Sequence, residues 1–443
     1  MVECRRHPET LKNGFGQTLN NVRNMEMEKL AINGGKPVRD KKIFYGHQWI
    51  EEDDIEAVSN VLRSDYLTCG PQIKVMEDTL ATYTGAKYAV AVSNGTAALH
   101  CACMAAGIGA GDEVITTPIT FAASANCVLY CGARPVFADI NPKTYNIDPD
   151  SIRSHITEKT KAIIAVDFAG QAVQYKEIRE ICDRYGLIFI EDAAHAIGTK
   201  YNGKQIGSLA DMTCFSFHPV KTITGGEGGA VLTNDQELYA KLVLARTHGI
   251  THDECLVEED LYEGPWCYDE ISIGYNYRIT DFQAALIVNQ MRKLEKFIRR
   301  RKEIVKTYDD AFAQLPEIII QREIPESDTC RHLYIIRLDL DKLTCTRKEF
   351  YDAMGAENVQ CQIHYIPVYW FSYYKRLGYE KGTCQQAEAL YKSIMSIPLY
   401  PRMTDGDVDD VIHAVQKVVV NYRRKGSVHA RKNACNKCHN SGI

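Results

Sequence analysis

One lysine stands in a setting that suits covalent chemistry. Lys221 lies in the stretch DMTCFSFHPVKTITGGEGG, between an apolar run with β propensity that ends at His218 and a glycine cluster at 225–229. A lysine at the end of a strand is ordinarily a solvated surface charge. Here the glycines let backbone come close to a bound group, because they carry no side chain. A lysine amine in such a place can form an imine with a carbonyl compound.

A second candidate residue, Asp192, ends the apolar run GLIFIEDA upstream of this lysine. Its ordinary interpretation is a solvated acid at a strand end. An aspartate can also pair with a pyridinium nitrogen and keep it protonated, so that the ring accepts electrons. A lysine for an imine and a carboxylate for a pyridinium are the two groups that a pyridoxal phosphate enzyme needs. Lys221 and Asp192 together therefore predict pyridoxal 5'-phosphate as the cofactor.

Other segments offer the remaining contacts for such a cofactor. In SNGTAALH a strand turns into a helix, so Gly95 and Thr96 place backbone N–H groups and a hydroxyl at a helix N-terminus, which suits a phosphate. Ser216 adds a second hydroxyl. Phe121 is interpreted either as a core residue or as a ring that lies on a planar cofactor. His195 is either a core histidine with satisfied hydrogen bonds or a partner of the ring's phenolic oxygen.

Lys221 would have two tasks in this chemistry. It would hold the cofactor's aldehyde as an imine until an incoming amine displaces it. The freed amine would then move a proton between the substrate carbon and the cofactor carbon. For the second task its pKa must fall toward neutrality, and burial near a cationic ring would lower it.

The elements that position these residues alternate between strand and helix. Short apolar runs such as KYAVAVS, DEVITTP and KAIIAVDFAG are separated by helical stretches of about ten residues. This alternation predicts an α/β fold with a mostly parallel sheet covered by helices on both faces. Ligands of such sheets bind at the carboxyl ends of the strands. Asp192, Ser216 and Lys221 all lie at predicted strand ends and are expected to share one site.

The chain divides into four predicted regions. Residues 1–28 are polar and predict a disordered extension, and residues 29–280 form a large α/β domain with a helical segment at its start. Residues 281–424 comprise a long linking helix, running from about Thr280 to Tyr308, and a small α+β domain. The N-cap of this helix is predicted at Thr280 or Asp281. Residues 425–443 form a basic tail that we expect to be disordered.

Composition excludes several classes of function. The formal net charge is −5 with acids and bases interspersed, so no nucleic-acid surface is predicted. We expect no membrane association, because no run of about 18 apolar residues is present. No signal peptide is evident, and the 16 cysteines are interpreted as small buried hydrophobes in a reducing cytoplasm. The tail motif Cys435-Asn436-Lys437-Cys438-His439 has the spacing of a haem attachment site, but without an export signal we predict neither haem nor a metal site.

Five motifs in order carry a resemblance to a known family. SNGTAAL, TFAASANC, EDAAHA, FSFHPVK with TGGEGG, and GYNYRITDFQAAL together resemble the DegT/DnrJ/EryC1/StrS sugar aminotransferases, from about residue 30 to residue 422. The resemblance implies the fold type I architecture of pyridoxal phosphate enzymes, with a mostly parallel seven-stranded sheet and a small C-terminal α+β domain. Because Lys221 is present, the family's dehydratases that lack this lysine are disfavoured.

The resemblance also implies roles for individual residues. Lys221 would form the imine, Asp192 would pair with the pyridine nitrogen, and His195 would bond to the ring oxygen where many relatives carry glutamine. Phe121 would stack on the ring, and the phosphate would be held by Gly95, Thr96 and Ser216, with Asn276 contributed by the neighbouring subunit of a homodimer. The sugar nucleotide would contact Tyr45, Asp65, Tyr66, Leu67, Thr68, His364 and Tyr365.

Within the family, the head YGHQWIEEDDIEAV, the SDYLTCGP turn and QIHYIPVY most resemble the branch that serves pseudaminic acid biosynthesis. This implies glutamate as the amino donor and a UDP-linked 4-keto-6-deoxy-N-acetylhexosamine as the acceptor. Three alternatives stay open. They are an aminotransferase for another keto sugar nucleotide, a catalytically idle regulatory protein, and a nicotinamide oxidoreductase. The last lacks G-x-G-x-x-G directly after a strand, and intact Lys221 and Asp192 argue against the second.

Overall fold

A computed structural model describes residues 28–424 of the chain. The predicted disordered extension therefore lies outside the described residues except for Glu28, whose carboxylate contacts His413 Nε2 at 3.0 Å. The predicted basic tail, with Cys435, Cys438 and His439, also lies outside them. In the described part, no helix is both long enough and apolar enough to span a membrane.

The helices and strands follow the alternation that the sequence predicts. The α-helices in chain order are α1 Glu52–Leu62, α2 Pro71–Thr84, α3 Gly95–Ala105, α4 Ala123–Tyr130, α5 Pro149–His155, α6 Tyr175–Tyr185, α7 Gln236–Arg246, α8 Asp281–Met291, α9 Leu294–Phe312, α10 Arg347–Ala356, α11 Ser372–Arg376, α12 Gln385–Tyr391 and α13 Asp405–Tyr422. The strands are β1 Tyr88–Val92, β2 Glu113–Thr116, β3 Arg134–Phe137, β4 Thr160–Val166, β5 Ile188–Asp192, β6 Lys200–Tyr201, β7 Lys204–Gln205, β8 Met212–Ser216, β9 Gly229–Thr233, β10 Ile250–Thr251, β11 Asp269–Glu270, β12 Ile318–Ile320, β13 Ser327–Asp328, β14 Tyr334–Leu338 and β15 Ile394–Ile397.

A seven-stranded sheet with the order β1-β9-β8-β5-β4-β2-β3 forms the centre. Strand β9 runs antiparallel to both of its neighbours, β1 and β8. The other neighbouring pairs are parallel. The predicted mostly parallel α/β sheet is thus confirmed. Helices α3, α4 and α7 pack on one face, and α2, α6 and α8 pack on the other. Burial on both faces explains why the central strands read as continuous apolar runs rather than alternating ones.

A second core lies between the antiparallel sheet β12-β14-β15 and helices α9, α10 and α13. The first described segment of the chain contributes Leu30 and Ile43 to this core. Glu357, which is fully buried, fastens that segment by accepting hydrogen bonds from the amides of Ala31 and Val38 at 2.9 and 3.0 Å. Lys417 Nζ lies 2.9 Å from the same carboxylate and balances its charge. The domain boundary at residue 280 stays a prediction.

The predicted long helix from Thr280 to Tyr308 is wrong in one respect. The structure has two helices, α8 and α9, which break at Arg292 and Lys293. At the break, Lys293 Nζ reaches back to α1 and binds Asp54 at 2.8 Å. Of the two predicted N-cap residues, Thr280 caps the helix, because its side chain and that of Gln283 form a capping box.

The carboxyl ends of strands β2, β4, β5 and β8 meet at one edge of the central sheet. There the register pairs Val166 with Asp192 and Asp192 with Cys214. Strand β9 begins at the same edge, where Gly229 pairs with Ser216. The residues that follow these strand ends are therefore neighbours in space although they are far apart in the sequence.

Candidate active site

A cavity of about 930 Å³ opens at this edge of the sheet. Ten of the predicted site residues line it, which are Tyr45, Gly95, Thr96, Phe121, Asp192, His195, Ser216, Lys221, His364 and Tyr365. They come from six separate segments of the chain, and the fold brings them to one place.

Lys221 lies in the turn between β8 and β9, where its amide N–H donates to the carbonyl of His218 at 2.9 Å. Burial lowers the pKa of its amine to about 8, because removing the ammonium from water is costly. The carboxylate of Asp192 acts against this shift by favouring the charged form. About a tenth of this lysine is consequently the neutral amine at pH 7, far more than for a solvated lysine.

The Asp192 carboxyl is only 5% exposed, and it ends strand β5. Its Oδ2 accepts a hydrogen bond from Ser124 Oγ at 2.6 Å, and its Oδ1 accepts from the Ala194 amide at 3.1 Å. Burial raises the pKa of Asp192, whereas these two donors and the charge of Lys221 lower it. Each oxygen has one donor and keeps capacity for another, so the group can still accept from a ligand N–H.

His195 follows Asp192 by three residues and is 6% exposed. The Tyr365 hydroxyl lies 3.3 Å from His195 Nε2, while Nδ1 is buried and has no hydrogen-bond partner among the described residues. Burial and the charge of Lys221 lower the pKa of His195 well below its usual range. The ring is therefore neutral and carries one N–H donor.

An anion site is formed where β1 passes into α3. Asn94 caps the helix by accepting from the Ala97 amide at 2.9 Å, so the first N–H groups, including that of Gly95, face the cavity end. A Cβ at Gly95 would lie 2.8 Å from that of Ser216, so only glycine permits this close approach. The amides, the Thr96 hydroxyl and the Ser216 hydroxyl together suit a phosphate.

Phe121 is 62% exposed although it is apolar and its neighbours in α4 are buried. Its ring lies at the cavity wall, 6.4 Å from the ring of Tyr365. An exposed aromatic face beside Asp192 and Lys221 offers a surface on which a planar ring can stack. The core interpretation of Phe121 does not fit this exposure.

Five predicted residues do not line this cavity in the single chain. Within the turn 65–68, Tyr66 lines a separate surface groove with Asp281 and Arg292 and is 58% exposed. Asn276 is exposed and lies in a bridge to Thr247. Their predicted roles toward the substrate and toward a neighbouring subunit remain predictions.

Residues 48–416 match the model of the DegT/DnrJ/EryC1/StrS aminotransferase family. The chain belongs to this family. It is an aminotransferase that uses pyridoxal phosphate, and the predicted family, enzyme class and cofactor are confirmed.

Three relatives align with this aminotransferase over nearly their whole length. An uncharacterized protein of Methanocaldococcus jannaschii is 41% identical over 84% of this chain and 96% of its own. Spore coat polysaccharide biosynthesis protein SpsC of Bacillus subtilis is 40% identical over 85% and 96%. The UDP-4-amino-4,6-dideoxy-N-acetyl-β-L-altrosamine transaminase of Campylobacter jejuni serotype O:23/36 is 38% identical over 86% and 99%.

Solved structures agree with the fold. PseC of Helicobacter pylori, an aminotransferase involved in pseudaminic acid biosynthesis, is 33% identical with a TM-score of 0.78, covering 85% of this chain and 99% of its own. A sugar aminotransferase of Streptococcus pneumoniae, Spr1654 in its PMP form, is 31% identical with a TM-score of 0.79, covering 85% and 98%.

The residues of this aminotransferase fit its cofactor. The glycine-lined anion site, the exposed Phe121 ring, the buried Asp192 with spare acceptor capacity and a lysine of lowered pKa all face one cavity. Among the described residues, no group of three or more histidine, cysteine or acidic side chains is placed to hold a metal ion.

Two residues of the site were missed from the sequence. Ser124 holds Asp192, and its place in the TFAASANC motif, three residues after Phe121, was the signal that could have found it. The His332 ring contacts that of His195, with ring centroids 4.4 Å apart and the planes tilted by 35°, and its pKa is also lowered by burial. His332 follows no motif, so only the fold places it in the cavity.

Proposed function

We propose that this aminotransferase moves an amino group from glutamate to C4 of a UDP-linked 4-keto-6-deoxy-N-acetylhexosamine. The product would be UDP-4-amino-4,6-dideoxy-N-acetyl-β-L-altrosamine, a precursor for pseudaminic acid. The observation that carries the aminotransfer itself is the shared cavity of Lys221 and Asp192 with their opposed pKa shifts. The sugar is supported by three relatives named for this reaction at 38%, 36% and 33% identity.

Bound pyridoxal phosphate would supply an electron sink conjugated to the reacting carbon. Lys221 Nζ would take a proton from the substrate carbon and deliver it to the cofactor carbon. An amine with a pKa of about 8 suits this work, because both its neutral and its charged form are populated near neutral pH. Asp192 would accept from the pyridinium N–H and hold its charge.

The remaining residues would position the cofactor. His195, neutral and backed by the Tyr365 hydroxyl, would donate one hydrogen bond to the phenolic oxygen. The amides of Gly95 and Thr96 and the hydroxyl of Ser216 would bind the phosphate, and Phe121 would cover one face of the ring.

The substrate side of the cavity is formed by the small C-terminal part and the N-terminal segment. His364 and Tyr365 lie there with Tyr45, whose ring centroid is 5.4 Å from that of His364. Burial lowers the pKa of His364 to about 4, so this histidine would contact the sugar as a neutral donor or acceptor. The turn 65–68 and Asn276 would complete a site in a homodimer, and the enzyme would act in the cytoplasm.

An absorbance titration tests the first half of the reaction. In the purified protein, glutamate is expected to convert the band of lysine-bound cofactor to that of pyridoxamine phosphate. Lys221→Ala is expected to lack the first band and to lose activity by a factor of 1000 or more, roughly 4 kcal/mol of barrier. Lys204→Ala, a substitution of an exposed lysine, is the matched control and should behave as wild type. A protein that cannot be loaded with pyridoxal phosphate would overturn the enzyme assignment.

A panel of UDP-4-keto sugars tests the acceptor. Each is added to the pyridoxamine-loaded enzyme, and the one that restores the original band fastest identifies the substrate. The expected best acceptor is the 4-keto-6-deoxy-N-acetylhexosamine with altrosamine-type stereochemistry. A different keto sugar nucleotide is the second candidate, because SpsC, a spore coat polysaccharide protein, is 40% identical to this chain.

A further inference from the structure

Two carboxyl groups, Glu191 and Asp167, lie behind the cavity and have no part in the mechanism above. Both are fully buried. Glu191 is the penultimate residue of β5, so its side chain points to the face of the sheet opposite to Asp192. Asp167 follows the end of β4, the strand that pairs with β5. Neither residue lines the cavity.

One oxygen of each group has a conventional donor. Glu191 Oε2 accepts from Thr213 Oγ1 at 2.7 Å, and Asp167 Oδ1 accepts from the Val173 amide at 2.9 Å. The other two oxygens, Oε1 and Oδ2, are buried and receive no N–H or hydroxyl donor from the described residues. The two carboxyl groups, at the ends of neighbouring strands, lie close enough for each to shift the pKa of the other.

Two facing carboxylates would be strongly unfavourable in this place. Each would be a buried charge, each would leave one oxygen without a donor, and they would repel each other. A single proton between them removes one of the two buried charges, ends the repulsion and gives both oxygens a partner, because the protonated group donates to the ionised one. Burial and the charge of Asp167 raise the pKa of Glu191 well above its usual range, so Glu191 is the group that keeps the proton.

Asp167 is the acceptor of this pair. Its pKa is raised by burial to about 7, while the bond from Glu191 and the Val173 amide lower it. The other ionisable groups that face the pair are the carboxylate of Asp192 and the thiols of Cys214 and Cys330, which burial keeps neutral. Asp192 raises the pKa of both members of the pair, and by reciprocity a second charge on the pair would raise the pKa of Asp192.

We propose that Glu191 and Asp167 share one proton and act as positioning residues for Asp192. The pair joins the ends of β4 and β5, where the Asp167 amide also donates to the Asp192 carbonyl at 3.2 Å. It presents one negative charge instead of two beside Asp192, which allows Asp192 to stay ionised opposite a pyridinium. The effect on the cofactor rests on the proposed function, whereas the shared proton does not.

Infrared difference spectroscopy tests the shared proton without the cofactor's chemistry. The cofactor-loaded wild type at pH 7 is expected to show the carbonyl band of a protonated carboxylic acid, and Glu191→Gln is expected to lack it. The Gln side chain keeps the geometry, because its amide N–H can donate to Asp167 and its oxygen can accept from Thr213. Glu180→Gln removes an exposed carboxyl on α6 and should keep the band. Absence of the band in the wild type, or its persistence in Glu191→Gln, would overturn the proposal.

A comparison of Glu191→Met with the conservative substitution Glu191→Gln tests whether Glu191 positions Asp192. Glu191→Met has nearly the same length but no donor, so Asp167 Oδ2 loses its partner. We expect the dissociation constant of pyridoxal phosphate to rise roughly tenfold or more in Glu191→Met, and much less in Glu191→Gln. Equal weakening in both variants would show that Glu191 serves packing alone and would refute the role. If Glu191→Met does not fold, the infrared comparison still decides the proposal. An inactive wild type that shows the expected band would count against the proposed function only.

Discussion

At Asp192, two hydrogen bonds oppose the effect of burial on the charge of a carboxyl group. Burial favours the protonated acid, and the Ser124 hydroxyl and the Ala194 amide favour the carboxylate. A proposed partner of a pyridinium must be ionised, so these donors are as much a part of the site as Asp192 itself.

Ser124→Ala is therefore expected to weaken the binding of the cofactor rather than to lower the stability of the fold. Removing a hydrogen bond to a charged group costs about 1.5–3 kcal/mol, so the dissociation constant of pyridoxal phosphate should rise about 10- to 100-fold. Fluorescence titration of the cofactor-free protein measures it. Ser154→Ala, which removes an exposed helical hydroxyl, is the control. An unchanged constant in Ser124→Ala would show that Asp192 does not need this donor.

The pKa of Lys221 predicts how the cofactor-free protein captures pyridoxal phosphate. Only the neutral amine attacks the aldehyde, and its fraction grows as pH rises through the pKa of about 8. The rate of capture should rise from pH 6 and level off above about pH 9. Stopped-flow absorbance between pH 6 and pH 10.5 measures this profile. A rate that still rises steeply to pH 10 would indicate an ordinary, solvated lysine.

The sequence identified the residues that would carry the chemistry, but not the residues around them that affect their charge and position. Lys221, Asp192 and Ser216 lie at strand ends and could be placed together from the alternation alone. His332 lies in the loop before β14, more than a hundred residues after Lys221. No local sequence pattern predicts that it lines the cavity. The proton balance of Glu191 and Asp167 likewise depends on the pairing of two strands, which the sequence does not display.

Among the elements, the break between α8 and α9 shows a tertiary contact overriding a helical pattern. No proline or glycine marks residues 280–308, so the sequence predicted one helix. In the structure, α8 ends at Met291 because Lys293 forms an ion pair with Asp54 of α1. The Asp54 carboxylate is buried, so its charge needs a nearby cation. The strands were more predictable than this helix, because a strand buried on both faces of a sheet has a continuous apolar sequence.

The start of α8 gives a prediction at this scale. Asp281 is fully buried, and its carboxylate accepts from the amides of Gly70 and Gln72 at the start of α2, at 2.7 and 2.9 Å. Asp281→Ala would leave both amides without an acceptor, which should lower the free energy of unfolding by about 3 kcal/mol.

Urea denaturation monitored by circular dichroism measures this loss. Asp78→Ala on the same helix α2 removes an exposed ion pair with Lys74 and should cost less than about 1 kcal/mol. Equal losses in the two variants would mean that the Asp281 carboxylate does not hold α2. Because the lost carboxylate also holds the Gly70 amide, directly after the 65–68 turn, Asp281→Ala should in addition raise the KM for the sugar nucleotide.

For the whole molecule, Asn276 and the 65–68 turn do not line the cavity of their own chain. The proposed homodimer explains this if Asn276 serves the phosphate site of the neighbouring subunit. Apolar residues that precede it in the sequence, such as Trp266 and Ile273, are strongly exposed in the single chain and suit burial against a second copy.

Mixing two inactive variants tests this arrangement. Lys221→Ala and Asn276→Ala should each be nearly inactive alone. If Asn276 acts across the interface, refolding or exchanging the two together should restore up to about a quarter of the sites, because a mixed dimer contains one site without either substitution. The rate of amino transfer in the mixture measures this. A mixture no more active than its components would place Asn276 and Lys221 in the same subunit's site.

The position of strand β9 has a consequence for the order in which the chain can fold during synthesis. Among the described strands, β1 pairs with β9 alone, which lies more than a hundred residues later, and β9 also closes the sheet against β8. A nascent chain that has not yet exposed residues 229–233 therefore carries β1 as an unpaired apolar strand. Such edges recruit other chains. Truncated or stalled products of this protein should accordingly aggregate until β9 has emerged from the ribosome.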